Sequence, residues 1–214
     1  MRFADAWLRE ATASAGTRNP NSMTLATVGP DGQPSARVVR CKLFVPDPGY
    51  LVFYTNYRSR KGRELQQNCK VAATFYWDNL GLQMRLEGLA VRSPESESDS
   101  YFVTRDPGSQ LGAWGSDQSE AIASRDALVL QIRERAAQLG VPFDEDERGQ
   151  TLAGAAPIAR PPHWGGLRLW AGMIELWVEG KDRIHDRAAW CRELVRTDEH
   201  TFSVSPWTGT RLQP

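Results

Sequence analysis

Apolar and polar positions change period several times along the 214-residue chain. At the start, Phe3, Trp7, Leu8 and Ala11 recur at helical spacing, which predicts a short amphipathic helix over residues 3–14, ended by Asn19-Pro20-Asn21. From there the period falls to two. Met23 to Val28 and Ser35 to Val45 read as strands joined by Gly29-Pro30-Asp31-Gly32, and Tyr50 to Thr55 reads as a third after Pro46-Asp47-Pro48-Gly49. A helix is expected from Ser59 to Asn68, followed by a strand from Lys70 to Trp77 rich in valine, threonine and aromatics. Asp78-Asn79-Leu80-Gly81 turns the chain into another strand, Leu82 to Val91, in which Gln83, Arg85 and Glu87 alternate with Met84, Leu86 and Gly88. Strands in sequence with short turns predict an antiparallel meander or barrel rather than a parallel α/β sheet.

The second half is more mixed. Ser93-Pro94-Glu95 predicts a helix start with Ser93 as its cap and an end near Arg105. The stretch DPGSQLGAWGSDQSEAIAS, from Asp106 to Ser124, has neither period and reads as a long loop of the kind that binds something. Ser124 opens a helix to Leu139, with Gly140 as its cap. Residues 141–162 are acidic and then rich in Pro, Ala and Gly, a surface excursion. Gly166 to Trp170 and Met173 to Val178 read as two strands, and Glu179-Gly180-Lys181-Asp182 as a hairpin turn.

Charge alters this picture only locally. The 26 basic and 26 acidic residues cancel, which argues against a nucleic-acid partner. Cys41, Cys69 and Cys191 are widely spaced and few histidines accompany them, so no metal site is expected and reduced thiols in a cytoplasmic compartment are the simplest account. The first residues lack the apolar core of a signal peptide, and no segment offers the roughly 20 apolar residues of a membrane span. Eight tryptophans leave a core, an interface or a flat-ligand site equally open.

Two basic clusters carry candidate chemistry. Arg37, Arg40 and Lys42 lie on one predicted strand, and Arg58, Arg60, Lys61 and Arg63 surround a helix start whose N–H groups and partial positive charge suit a phosphate. Alternation sets Val38, Arg40 and Lys42 against Arg37, Val39 and Cys41, so Arg37 and Lys42 share a site only if the strand bends, bulges or ends. The competing reading is a barrel strand with solvated cations outside. On a strand, Arg183, His185 and Arg187 would share a face, two guanidiniums around an imidazole; an exposed polar edge is the alternative.

The motifs R37VVRCK42, F53YTNYRSRKG62, S109QLGAWGSDQS119, W164GGLRL169, I174ELWVEGKDRIHDR187 and R211LQP214 together resemble the pyridoxine/pyridoxamine 5′-phosphate oxidases. The resemblance spans nearly the whole chain. It implies a mainly β fold with peripheral helices, an antiparallel FMN-binding split β-barrel in a single domain. Residues 15–140 would form the barrel core and helices, and 163–214 the strands completing a homodimer site. It implies FMN contacts from Arg37, Val38, Lys42, Tyr54, Thr55, Arg60, Lys61, Gln83, Gln118, Ser119, Trp177 and Arg187.

Substrate phosphate would fall to Lys42, Tyr101, Arg105 and Ser109, with Tyr101 and Arg105 one helical turn apart. Arg183 and His185 would be the catalytic pair over the reacting end. The implied substrates are a phosphorylated B6 vitamer and molecular oxygen, and the products pyridoxal 5′-phosphate and hydrogen peroxide. A related oxidase of another reduced ring, such as a dihydrophenazine, and a non-catalytic FMN- or pyridoxal-phosphate-binding barrel are the alternatives. Departures from the family pattern are Arg40, Asp106-Pro107 and the long stretches at 141–162 and 197–209, and the N-terminal segment that covers the substrate in longer members is expected to be absent.

Overall fold

The computed structural model describes residues 1–145, 151–153 and 158–214. Helix α1 (Arg2–Ala13) precedes strands β1 (Ser22–Val28), β2 (Pro34–Arg40), β3 (Leu43–Val45) and β4 (Tyr50–Asn56); helix α2 (Arg60–Gln67) leads into β5 (Lys70–Trp77) and β6 (Leu82–Arg92). Helices α3 (Glu95–Phe102), α4 (Pro107–Gly115) and α5 (Arg125–Gln138) follow, then the short pair β7 (Phe143–Glu145) and β8 (Thr151–Ala153). Strands β9 (Trp164–Val178), β10 (Asp186–Cys191), β11 (Leu194–Arg196), β12 (Phe202–Val204) and β13 (Thr208–Leu212) complete the described elements.

The main sheet has nine strands, in the order β13-β10-β9-β6-β5-β1-β2 with β4 on β9 and β3 on β4. Each neighbouring pair along the ordered path is antiparallel, as the alternation and short turns predict. No helix among the described residues is long and apolar enough to cross a membrane.

The chain divides into two compact units. The first comprises Met1–Phe53, Glu64–Arg92 and Leu167–Pro214. Its core is built from the inward residues of the alternating strands, Met23 and Leu25 on β1, Phe75 and Trp77 on β5, and Met84 and Leu86 on β6, all essentially removed from water. The predicted strand Ser35 to Val45 is two strands. Pairing with β1 ends at Arg40 opposite Ser22, and the chain then changes partner: the Lys42 N–H donates to Val52 O at 2.8 Å and β3 continues on β4. Between them Cys41 is buried, and desolvation pushes its thiol up to about 12. A thiol this far from ionisation is a poor nucleophile. Cys41 is therefore expected to resist an aromatic-disulfide reagent at pH 8 in the folded protein and to react on unfolding, which a timed thiol count checks.

A second correction concerns β9. It runs unbroken through Ala171-Gly172, where two strands were expected, because the pairing tolerates one extra residue: Glu87 faces Met173 and Gly88 faces Ala171, leaving Gly172 as a bulge. Gly88 itself has no room for a side chain, since a Cβ there would lie 1.9 Å from the Trp170 carbonyl oxygen.

The second unit comprises Tyr54–Arg63 and Ser93–Gly166. Helix α3 starts after Pro94 and not at a Ser93 cap, and it ends at Phe102, three residues short of the predicted end. The expected loop from Asp106 contains α4, with Pro107 at its first position. Three glycines in nine residues hide this helix from a propensity reading. Burial stabilises it instead: Leu111 and Ala113 are in the core, and buried Gln110 Nε2 donates to Phe102 O at 3.1 Å and Arg105 O at 3.0 Å. Helix α5 starts at Arg125, next to the predicted start, and Ser124 is its cap, with Oγ accepting from the Ala127 N–H at 3.0 Å. Much of the 141–162 excursion lies outside the described residues; Val141 and Ile158 are buried in a cluster with Leu111 and Ala136.

Candidate functional site

In the second unit, β4 ends at Asn56 and α2 begins four residues later, so a strand end and a helix start converge. Ser59 Oγ accepts from the Gly62 N–H at 3.3 Å and donates to Asn56 O at 2.7 Å, which fixes that start. The Lys61 ammonium, only 8 % exposed as a residue, donates to Thr55 Oγ1 at 3.0 Å, Ser59 Oγ at 3.2 Å and Gln118 Oε1 at 3.1 Å. Thr55 Oγ1 also donates to Gln118 Oε1 at 3.2 Å. The predicted residues Thr55, Lys61 and Gln118 thus form one cluster, with Arg60 exposed beside it and Ser119 following in the left-handed region at φ 76°. A buried cation among hydroxyls at a helix N-terminus has the chemistry a phosphate requires.

A second group lies in the same unit. The rings of Tyr54 and Tyr101 stack at 3.9 Å and 16°, and Tyr54 stacks on Trp164 at 5.4 Å and 11°. The turn after α3 carries Arg105 back over Trp164, its guanidinium carbon 4.5 Å from that ring's centroid and 5.6 Å from that of Phe102. Arg105 Nη1 is buried with no hydrogen-bond partner among the described residues. Burial also lowers its pKa from the usual arginine value, because the charged form loses hydration. Tyr101 and Arg105 therefore do converge, through a turn beyond the helix end. Ser109 is exposed in the first turn of α4.

In the first unit, Gln83 on β6 faces Trp177 on β9, which faces Arg187 on β10, so these three predicted residues form a row across one side of the sheet. Buried Glu175, two residues before Trp177, holds this row: its Oε1 accepts from Arg187 Nε at 2.9 Å and Nη2 at 2.8 Å, and its Oε2 from Arg85 Nη1 at 2.9 Å. Arg187 Nη1 also donates to Gln213 O at 3.0 Å, tying down the chain's last residues.

Arg183 and His185 are not on a strand with Arg187. β10 begins only at Asp186, and Arg183 closes a 3₁₀ turn with φ 64° after Asp182 at φ 56°. Two successive non-glycine residues in that region cost on the order of 1–3 kcal/mol each, which tertiary context must offset. The Gly180 N–H donates to His185 Nδ1 at 3.1 Å, and the ring lies 4.5 Å from that of Trp177. With Nδ1 an acceptor, the neutral imidazole carries its proton on Nε2.

Arg37 points to the half-buried side of β2 and Val38 to the exposed side, as alternation requires. Arg37 donates to Thr27 Oγ1 at 2.5 Å, Ser35 Oγ at 2.6 Å and Glu64 Oε2 at 3.2 Å. Lys42 is exposed just beyond the end of that strand, the condition under which it could share a site with Arg37. Sequence reading missed Glu64, Glu175, Ser59's bond to Lys61, and Trp164. Trp164, Glu175 and Ser59 lie within the motifs W164GGLRL169, I174ELWVEGKDRIHDR187 and F53YTNYRSRKG62, whereas Glu64 lies in none of them.

Two family models match in chain order: pyridoxamine 5′-phosphate oxidase over residues 10–138, and pyridoxine 5′-phosphate oxidase C-terminal dimerisation region over residues 164–214. A pyridoxine/pyridoxamine 5′-phosphate oxidase of Rubrobacter xylanophilus is 44% identical over 97% of this chain and 83% of its own length. One of Paraburkholderia xenovorans is 45% identical over 100% of this chain and 88% of its own. Among solved structures, PhzG from Burkholderia lata in complex with tetrahydrophenazine-1-carboxylic acid matches with a TM-score of 0.78 and 29% identity, over 100% of this chain and 91% of its own. A pyridoxamine 5′-phosphate oxidase-related, FMN binding protein of Nostoc punctiforme has the same fold, with a TM-score of 0.69, 19% identity and coverage of 100% and 97%. The fold is the antiparallel FMN-binding split β-barrel that the sequence motifs implied. With both halves matched and a donor set at α2 that suits a flavin phosphate, the chain belongs to the pyridoxamine 5′-phosphate oxidase family and its cofactor is FMN.

Proposed function

We propose that this chain is an FMN-dependent oxidase of pyridoxamine 5′-phosphate or pyridoxine 5′-phosphate, acting as a cytoplasmic homodimer and a single functional domain. The amine substrate, with O2 and water, would give pyridoxal 5′-phosphate, ammonia and hydrogen peroxide; the alcohol needs only O2 and releases no ammonia. The observation that carries this reading is the buried Nη1 of Arg105, without a partner among the described residues and close to Tyr101, which supports a second anion site in the unit that already holds the Lys61 cluster.

Two phosphates, one on the cofactor and one on the substrate, account for two cationic sites. Thr55, Ser59, Arg60, Lys61, Gln118 and Ser119 would hold the flavin phosphate, with Arg37 and Lys42 adding charge and Val38 and Tyr54 contact. Gln83, Trp177 and Arg187 would hold the flavin ring, their row fixed by Glu175. FMN held there would supply the two-electron redox chemistry of the reaction. The residues around it bind and orient. Tyr101, Arg105, Ser109 and Lys42 would anchor the substrate phosphate, so that binding strength is spent on alignment. His185, held as its Nε2 tautomer by Gly180, presents a donor to the reacting end, and Arg183 a positive charge.

Arg105→Ala tests this reading. Losing a hydrogen bond from a charged group costs about 1.5–3 kcal/mol, so KM for pyridoxamine 5′-phosphate is expected to rise roughly 10- to 150-fold with flavin retained. Steady-state kinetics of the yellow protein measures it, and an unchanged KM would remove Arg105 from the substrate site. The likeness to PhzG supports a second reading, oxidation of a reduced phenazine-like ring, for which the Arg105 site would have no phosphate to bind.

A further inference from the structure

We propose that Trp164 is a positioning residue for the substrate phosphate: its ring sets the guanidinium of Arg105 without consuming its hydrogen-bond donors. The proposal rests on the assignment of Arg105 to substrate given above. A carboxylate partner would orient a guanidinium equally well, but it would neutralise the charge and occupy the N–H groups a phosphate needs. An aromatic face holds a cation by its quadrupole and takes no N–H. Arg105 has that arrangement, with its guanidinium carbon 4.5 Å from the Trp164 centroid and Nη1 buried without a partner among the described residues.

The platform is itself held firmly. Trp164 O accepts from Arg160 Nη1 at 2.7 Å, while Arg160 Nε donates to Asp99 Oδ1 on α3 at 2.6 Å. The Trp164 N–H donates to Pro161 O at 3.0 Å, and the ring meets Phe102 edge-on at 5.2 Å. From the other side, Gln110 holds the Arg105 carbonyl at 3.0 Å. Backbone and side chain of Arg105 are thus both placed, and Nη1 is left without a hydrogen-bond partner among the described residues.

The test compares Trp164→Leu, Trp164→Phe and Arg105→Ala in the FMN-loaded full chain. KM and kcat are measured with pyridoxamine 5′-phosphate and with unphosphorylated pyridoxamine, and FMN affinity by fluorescence quenching of the apoprotein. Loss of a cation–π platform is expected to raise KM for the phosphorylated substrate about 2- to 30-fold in Trp164→Leu, with kcat within twofold. FMN affinity and kcat/KM for pyridoxamine are expected to change less than KM for the phosphorylated substrate, because Trp164 also stacks on Tyr54 but Arg105 meets only the phosphate. Trp164→Phe keeps a weaker ring and is expected to fall between wild type and Trp164→Leu.

A wild-type KM in Trp164→Leu, alongside a raised KM in Arg105→Ala, overturns the role of Trp164 and leaves that of Arg105 standing. A parallel loss of FMN affinity and of activity toward both substrates also overturns it, since Trp164 would then be structural. If Trp164→Leu does not fold, the decision passes to Trp164→Phe, for which an unchanged KM overturns the proposal. An unchanged KM in Arg105→Ala sinks the underlying substrate assignment, a different failure from that of Trp164 alone.

Discussion

Replacing Arg60 and Lys61 together by alanine is expected to yield a folded but nearly colourless protein. Lys61 is buried among Thr55, Ser59 and Gln118, so its charge has little competing water, and Arg60 adds a second cation at the same helix start. Each hydrogen bond from a charged group is worth about 1.5–3 kcal/mol. Two such losses weaken FMN binding on the order of 10²- to 10⁴-fold. Titrating apoprotein into FMN and following fluorescence quenching measures this, with circular dichroism as the check on folding. An affinity equal to wild type would move the flavin phosphate away from α2.

Gly88→Ala is expected to lower stability without touching any site residue. Its Cβ would stand 1.9 Å from the Trp170 carbonyl oxygen and 3.2 Å from Ala171 Cα, backbone atoms of β9 that cannot swing away as a side chain could. Forcing β6 and β9 apart at their bulge costs about 1–3 kcal/mol or more, and each kcal/mol lowers Tm by roughly 2–4 °C in a chain of this size. Gly112→Ala is the control: a Cβ there meets nothing within 4 Å, and an alanine inside α4 is expected to raise Tm slightly. Thermal unfolding of the two variants side by side decides it; equal Tm values would mean the sheet yields at the bulge.

How much was legible in sequence depended on whether the deciding interaction was local. β5 was bounded to the residue, Lys70–Trp77, because β-branched and aromatic side chains alternate between clear turns. The start of α5 at Ser124 was equally plain, and the structure adds that this serine caps the helix through the Ala127 N–H. Helix α4 was illegible because its glycines deny it local propensity and its stability comes from burying Leu111, Ala113 and Gln110. The break after Arg40 could not be seen either, since it records a change of strand partner from β1 to β4.

The candidate site divides the same way. Arg60 and Lys61 advertise themselves by sitting next to Ser59 at a helix start. Glu64 and Glu175 do not, because the arginines they hold, Arg37 for the first and Arg187 and Arg85 for the second, are 27, 12 and 90 residues away in sequence. The strand reading of Arg183, His185 and Arg187 failed at a turn in which two non-glycine residues take positive φ, a conformation that propensity counts against. Strain of this kind beside Arg183, proposed for the reacting end, is where local rules are expected to give way.

On the proposed function, the bound flavin oxidises a phosphorylated B6 vitamer. Anaerobic mixing of the purified yellow protein with pyridoxamine 5′-phosphate, and separately with pyridoxine 5′-phosphate, tests it most directly by following the oxidised-flavin absorbance. Bleaching with at least one of them is expected, with colour and one equivalent of hydrogen peroxide appearing when air is admitted. A protein that keeps its FMN yet stays yellow with both compounds would contradict the account, and bleaching by a reduced phenazine instead would replace it.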